Sequence, residues 1–242
     1  MNSRRFASDE RGAAAGGADN PQPGFPSEET RLLAVDVVGD TVMVTLDGGI
    51  TMELDRRSAP DSLPEPGQLV PADLVAQMAR AQARKLAARD LLKQLDRRLQ
   101  PVAKLRRKLV ERGHDPESVE EVLQAMQDKG LCSDRLYAEA YCRDTLRTKP
   151  VGPRYLLARL RGHQVPSAVA QEVVAEILDP TQEQELAREA AAARWKRVRE
   201  PRDRAALAKV IRFVIGRGFT PSVAHAAARD TMSAEDDEGA FE

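Results

Sequence analysis

Aromatic residues are scarce in this 242-residue sequence, at 4%, with one Trp, three Tyr and five Phe. Sheet-rich cores draw on aromatic and β-branched residues, so this scarcity favours helices, as does an apolar content rich in Leu, Val and Ala beside 31% charged positions. Only two cysteines occur, Cys132 and Cys142. They are too few for a disulfide framework or a zinc-binding quartet and read as two reduced thiols. No apolar run reaches about 18 residues, and none follows the basic start at Arg4-Arg5. Neither a membrane span nor a secretory signal is expected, and the expected address is cytoplasmic. A Gly-rich phosphate loop, a serine elbow and a helix-borne metal pair are missing. His114, His163 and His225 share no ligand spacing, so corner-closing or exposed roles are expected of them. The expectation is a protein that is not an enzyme and needs no metal or cofactor.

What the sequence does have is a recurring helical corner. In KLRRKLVERGHDPESVEEVLQAM, Lys104 to Met126, Leu105 and Leu109 mark one helix face, and Val119, Val122, Leu123 and Met126 mark the next. Between them Gly113 can close the first helix, Asp115 can cap the second, and Pro116 fits its first turn. Arg154 to Ile177 repeats the pattern, with Leu156, Leu157 and Leu160 before the corner, Pro166 at the restart, and Val169, Val173 and Ile177 after it. Ala208 to Ala227 repeats it again, with Val210, Ile211 and Val214, then Arg217-Gly218, then Thr220-Pro221 and Val223. The corners fall at Gly113, Gln164 and Gly218, spacings of 51 and 54 residues. That period leaves room for a third helix per unit.

The expected fold is mainly α: three tandem three-helix units in an elongated array, preceded by a small antiparallel β-meander. Residues 1–29, rich in Gly, Ala, Pro and acid, read as a disordered tail. Residues 30–71 read as the meander and a Pro-rich loop, with Leu33, Val35 and Val37, then Val42, Val44 and Leu46, then Ile50, Met52 and Leu54 as alternating apolar positions. Residues 72–86 read as a linking helix, continuous with unit 1 at 87–131; Leu74, Val75, Met78, Leu86, Leu91, Leu92, Leu95 and Leu99 are its expected buried positions. Unit 2 spans 132–179 and opens at Ser133-Asp134. Unit 3 spans 180–231 and opens with a Thr181–Gln184 capping box. An acidic tail, 232–242, follows.

The net charge of −1 conceals an asymmetry: residues 80–230 hold 31 Lys and Arg against 20 Asp and Glu. Such a surface attracts a polyanion or an acidic protein, or is a solvated helical face. A helical wheel puts Arg107 opposite the unit 1 core with Lys104 and Arg106 on its flanks, and Arg97, Arg98 and Arg112 add charge nearby. In unit 2, Arg154, Arg159 and Arg161 lie to the sides and Tyr155 opposite the core. Tyr155 can stack on a base, anchor a protein contact, or pack on a neighbouring unit. Arg194, Lys196 and Arg197 surround Trp195 in a second cluster, with Trp195 expected to fill a joint. Tyr137, Tyr141 and Phe219 are assigned to packing.

The run GLCSDRLYAEAYCR, Gly130 to Arg143, followed by Gly152 and LLARLRGHQV, resembles the central signature of the RecX family of recombinase regulators. An acidic residue and an aromatic-Ala pair open a helix there, here Asp134, Tyr137 and Ala138, with Tyr137 standing where phenylalanine is usual. VIRFVIGRGFTPSVAHAA resembles the family's closing element, and AREAAAARWKR the helix before it. The resemblance covers about residues 85 to 230; the strand pairs before it resemble an N-terminal extension of longer members. It implies a regulator in DNA repair, homologous recombination and the SOS response. Such a protein binds the RecA filament on single-stranded DNA and limits filament growth or activity; a monomer is the default expectation for the chain. The alternative from the residues alone is a sequence-indifferent nucleic-acid binder built of helical repeats, and a scaffold that holds some other protein remains a third.

Overall fold

The computed structural model describes residues 30–199 and 203–238, with side chains through Met232. The expected tail at 1–29 lies outside the described residues, as do the side chains of the acidic terminus.

An antiparallel sheet of order β3-β2-β1-β4 comes first, from β1 (Thr30–Val38), β2 (Thr41–Leu46), β3 (Thr51–Asp55) and β4 (Leu69–Val70). The fourth strand was not evident in the Pro-rich stretch; it pairs only with Thr30 and Arg31. Strict alternation fails at two positions of β1, Leu33 and Val37, the latter 54% exposed. Leu33 is 53% exposed and Leu32 fully buried, because the register slips between Leu32 and Ala34. The bulge shifts the apolar parity, so Leu32, Val35 and Val37 pair with Leu46, Val44 and Val42.

Nine helices occur among the described residues. The first, α1 (Ala72–Leu95), is continuous across the expected link, but it stops at Leu95, and Leu92 and Leu99 are exposed, contrary to the sequence expectation. Then come α2 (Val102–Glu111), α3 (Pro116–Asp128), α4 (Asp134–Thr148), α5 (Pro153–Gly162), α6 (Ser167–Ile177), α7 (Pro180–Trp195), α8 (Arg204–Gly216) and α9 (Pro221–Glu238). Three apolar cores follow the chain in order. Leu91, Leu105, Leu109, Val119 and Leu123 build the first; Ala138, Leu156, Leu160, Val173 and Val174 the second. Ala187, Trp195, Val210, Val214 and Phe219 build the third. In α6 the buried stripe is Ala170, Val173 and Val174, while Val169 and Ile177 are only partly covered.

The three corners share one backbone conformation. Gly113 has φ 86°, Gln164 φ 63° and Gly218 φ 92°, and Gln164 is the one positive-φ residue other than glycine among the described residues. In unit 1 the His114 N–H donates to the Leu109 carbonyl at 3.2 Å, and in unit 2 the Val165 N–H donates to Leu160 at 3.1 Å. This six-residue closure satisfies carbonyls that a helix end leaves open. Asp115 caps α3 by accepting from the Ser118 N–H at 2.8 Å, and Ser133 caps α4 by accepting from Leu136. In unit 3 the cap is Asp179, which accepts from Thr181 and Gln182, rather than the Thr181–Gln184 box; Pro180 already occupies the first helical turn.

A candidate basic and aromatic interface across the helical units

At the α1–α2 junction, Arg97 and Arg98 follow the end of α1, Lys104 and Lys108 lie one turn apart on α2, and Arg112 closes α2. Lys108, which the helical wheel passed over, is fixed by two hydrogen bonds: its Nζ donates to Gln94 Oε1 at 3.2 Å and to Gln100 Oε1 at 2.6 Å. Desolvation first, and then the neighbouring charges of Lys104, Arg98, Arg112 and Arg97, hold its pKa below the ordinary lysine value. Five cations thus share one small region. Among the described residues only Arg112 of these has a carboxylate nearby, Asp90 at 3.9 Å.

Two other unit 1 candidates are neutralised. Arg106 forms a forked pair with Glu120 across α2 and α3, with Nη2 donating to Oε2 at 2.9 Å. Arg107 pairs with Glu111 one turn on, at 3.6 Å. His114 Nε2 lies 3.0 Å from Asp90 Oδ2, which fastens the corner to α1.

Unit 2 presents aromatic rings beside this cluster. Tyr137 and Tyr141, one turn apart on α4, stack with centroids 6.1 Å apart, and His163 meets both edge-on at 5.7 and 5.2 Å. Both tyrosines pack on the unit 2 core as expected, but each keeps part of its ring at the surface. The Arg98 charge reaches the Tyr137 hydroxyl, whose pKa is nonetheless raised, chiefly by burial and then by Tyr141. On the far side the Tyr141 hydroxyl interacts with Arg159. Arg159 Nε donates to Tyr155 Oη at 3.3 Å and Lys149 Nζ donates to it at 2.6 Å. Both cations also lie over the Tyr155 ring, 4.7 Å and 5.3 Å from its centroid for Lys149 and Arg159. These two hydrogen bonds hold the phenol below its ordinary pKa. Lys149 was missed by the wheel because it sits past the last turn of α4, as its C-cap. Arg154 and Arg161 are exposed and form no ion pair among the described residues.

The result is a track of alternating charge and ring: Arg97, Arg98, Lys104 and Lys108, then Tyr137, Tyr141 and His163, then Arg159, Tyr155 and Lys149. Two contacts show what its neighbours do. Asp134, the acidic residue opening α4, accepts the Val102 N–H of α2 at 2.9 Å and so joins units 1 and 2. Units 2 and 3 join through backbone: the Gly152 N–H donates to the Arg217 carbonyl at 3.0 Å and the Arg154 N–H to the Gly218 carbonyl at 3.1 Å.

Unit 3 divides the cluster expected around Trp195. The indole is buried, and its Nε1 donates to the Ala228 carbonyl at 3.1 Å, so it locks α7 to α9. The surface ring beside the arginines is Phe213 instead, with the Arg194 and Arg217 guanidiniums 5.6 and 5.0 Å from its centroid. Lys196 and Arg197 are exposed in the turn after α7.

These features define a helical-repeat protein with a cationic, ring-lined face. The second three-helix domain of RecX matches residues 133–174, and its third three-helix domain matches residues 181–227. The regulatory protein RecX of Halorhodospira halophila is 35% identical over 164 residues, covering 66% of this chain and 97% of that protein. The RecX of Chromohalobacter salexigens is 35% identical over 131 residues, covering 54% of this chain and 82% of its own. A crystal structure of regulatory protein RecX superposes with a TM-score of 0.69 at 21% identity, over 83% of this chain and 99% of that one. The chain belongs to the RecX family of regulatory proteins. Among the described residues no helix is long and apolar enough to cross a membrane.

Proposed function

We propose that this protein regulates the RecA recombinase: it engages the RecA filament on single-stranded DNA through the track on units 1 and 2 and limits the filament's growth or activity. Family membership supports the regulatory role. The observation that carries the contact surface is the run of cations without carboxylate partners among the described residues, Arg97, Arg98, Lys104 and Arg159, interleaved with Tyr137, Tyr141 and Tyr155. Guanidiniums serve acidic protein surfaces and phosphates alike. The protein acts without chemistry of its own, as a monomer in the cytoplasm, in recombination, repair and the SOS response. The test is RecA ATP hydrolysis on single-stranded DNA under titration with the protein. Inhibition well below one molecule per RecA subunit is expected, and undiminished hydrolysis at equimolar excess overturns the reading.

The half-exposed Tyr137, Tyr141 and His163 rings favour a second reading, direct binding of a nucleic-acid strand, because rings between cations offer stacking to any base. It requires affinity for DNA without RecA, and a log-log salt slope of about −0.7 per phosphate neutralised.

A further inference from the structure

The α1–α2 junction of unit 1 is built differently from the rest of the track. Gln94 and Gln100 are each only 5% exposed. Burying a primary amide costs free energy unless its hydrogen bonds are made. Both carbonyl ends are spent on one group, the Lys108 ammonium. The Gln94 Nε2 is buried and has no hydrogen-bond partner among the described residues. Rotating that amide would bring its NH₂ against the lysine, so its orientation is dictated by Lys108. A lysine serving only to close α1 would donate to the open carbonyls of the last turn. Lys108 donates to side chains instead.

An ammonium has three N–H donors, and two are committed. The third is presented by a side chain whose rotamers are already fixed, beside Arg97, Arg98 and Lys104, none of which has a carboxylate partner among the described residues. Four cations gathered without a counter-charge repel one another, and the repulsion is relieved by an anion placed between them. A phosphate group suits this arrangement better than a single carboxylate. It offers several acceptor oxygens around one centre, which a point donor and two guanidinium forks can share.

We propose that this junction is a phosphate-binding subsite, in which Lys108, oriented by Gln94 and Gln100, donates to a phosphate oxygen while Arg97, Arg98 and Lys104 surround the group. It names the ligand chemistry of the unit 1 end of the track and rests on the function proposed above only for the source of that phosphate, a nucleic-acid backbone or a soluble phosphate compound.

The test uses the full chain and no RecA. Pyrophosphate is titrated by calorimetry at fixed ionic strength against wild type, Lys108→Met, and the double variant Arg98→Gln with Lys104→Gln. Saturable binding is expected, weakened about tenfold or more in each variant, the loss of one charge-assisted contact or its field. The double variant changes side chains outside the core and keeps the test decisive if Lys108→Met does not fold. No binding to wild type, or wild-type affinity in the folded variants, overturns the subsite. Release of pyrophosphate by an oligothymidylate assigns the subsite to a nucleic-acid backbone; retention under saturating oligothymidylate assigns it to a soluble phosphate compound. A protein that inhibits RecA yet ignores pyrophosphate loses the subsite and keeps the proposed function. One that binds pyrophosphate without affecting RecA does the reverse.

Discussion

Gly218 and Tyr155 meet with no room for a side chain between them: a Cβ on Gly218 would lie 2.3 Å from the Tyr155 backbone N and 2.6 Å from its Cβ. The corner of unit 3 is thereby seated on the first turn of α5, and the same place carries the backbone hydrogen bonds that join units 2 and 3. Gly113 has the same left-handed conformation at the unit 1 corner, but a Cβ there would meet nothing within 4 Å. The two glycines therefore separate conformational strain from steric exclusion. Gly113→Ala is expected to cost about 1–2 kcal/mol for an alanine in the left-handed region. Gly218→Ala also forces the neighbouring backbones apart, and a cost of more than about 3 kcal/mol is expected, at the upper end for single substitutions. Urea unfolding of both variants checks the order. Equal losses would show that the joint yields freely.

Gln164 occupies the left-handed corner of unit 2 with a side chain. Replacing it by glycine relieves about 1–2 kcal/mol of local strain and adds about 0.5–1 kcal/mol of unfolded-chain entropy. Gln164→Gly is therefore expected to stabilise the protein slightly, seen as a rise in Tm by calorimetry. A fall in Tm would mean that the glutamine side chain contributes more than its backbone costs.

The corners were legible in the sequence because helix stop and restart signals are local: a glycine, a capping aspartate and a proline within a few residues decide the turn. Long-range relationships were not. The β1 bulge depends on pairing with β2, so alternation put Leu33 where Leu32 belongs. The wheel gave Arg106 and Arg107 the right exposure but could not show that Glu120, on another helix, neutralises the first. Lys108 lay too near the core stripe on the wheel to draw notice, and Lys149 lay beyond the last turn of its helix. Trp195 is buried, as its packing role requires, but that Phe213 is the ring beside Arg194 and Arg217 was not legible, because only the packing of α7 on α9 decides which ring turns inward.

The His114–Asp90 contact predicts how unit 1 responds to acid. Burial works against the Asp90 carboxylate most strongly, but the hydrogen bond from His114 and the charges of His114, Lys93 and Arg112 together outweigh it and hold the pKa below the ordinary aspartate value. A carboxyl depressed in the folded state stabilises the fold above its unfolded pKa, near 3.9, and loses that contribution as pH falls through the folded value. Asp115 acts in the same direction, through its hydrogen bonds with Ser118. Unfolding free energy is expected to be level above about pH 5 and to fall below about pH 4. Asp90→Asn is expected to lower stability at neutral pH and to shallow the acid limb, leaving the share due to Asp115. An acid limb of unchanged depth in Asp90→Asn would show that this carboxylate is not a source of it.

Charge reversal distinguishes a working track from a generally basic surface. Arg98 and Arg159 stand at either side of the Tyr137, Tyr141 and His163 rings, and neither has a carboxylate partner among the described residues. Arg98→Glu with Arg159→Glu alters net charge by four while leaving every core residue in place. Arg106→Glu with Lys129→Glu makes the same change in net charge but removes one exposed, already paired cation and one at the end of α3. An effect of net charge alone would respond to both pairs alike. A contact surface responds to the first pair, with a loss of RecA inhibition of about a hundredfold for two charge-assisted contacts, and barely to the second. Helicity by circular dichroism should be unchanged by the Arg98/Arg159 pair. In the control, losing the Glu120 ion pair is expected to cost at most about 1 kcal/mol, as for exposed pairs generally. Equal loss of inhibition in the two double variants would reduce the track to overall charge.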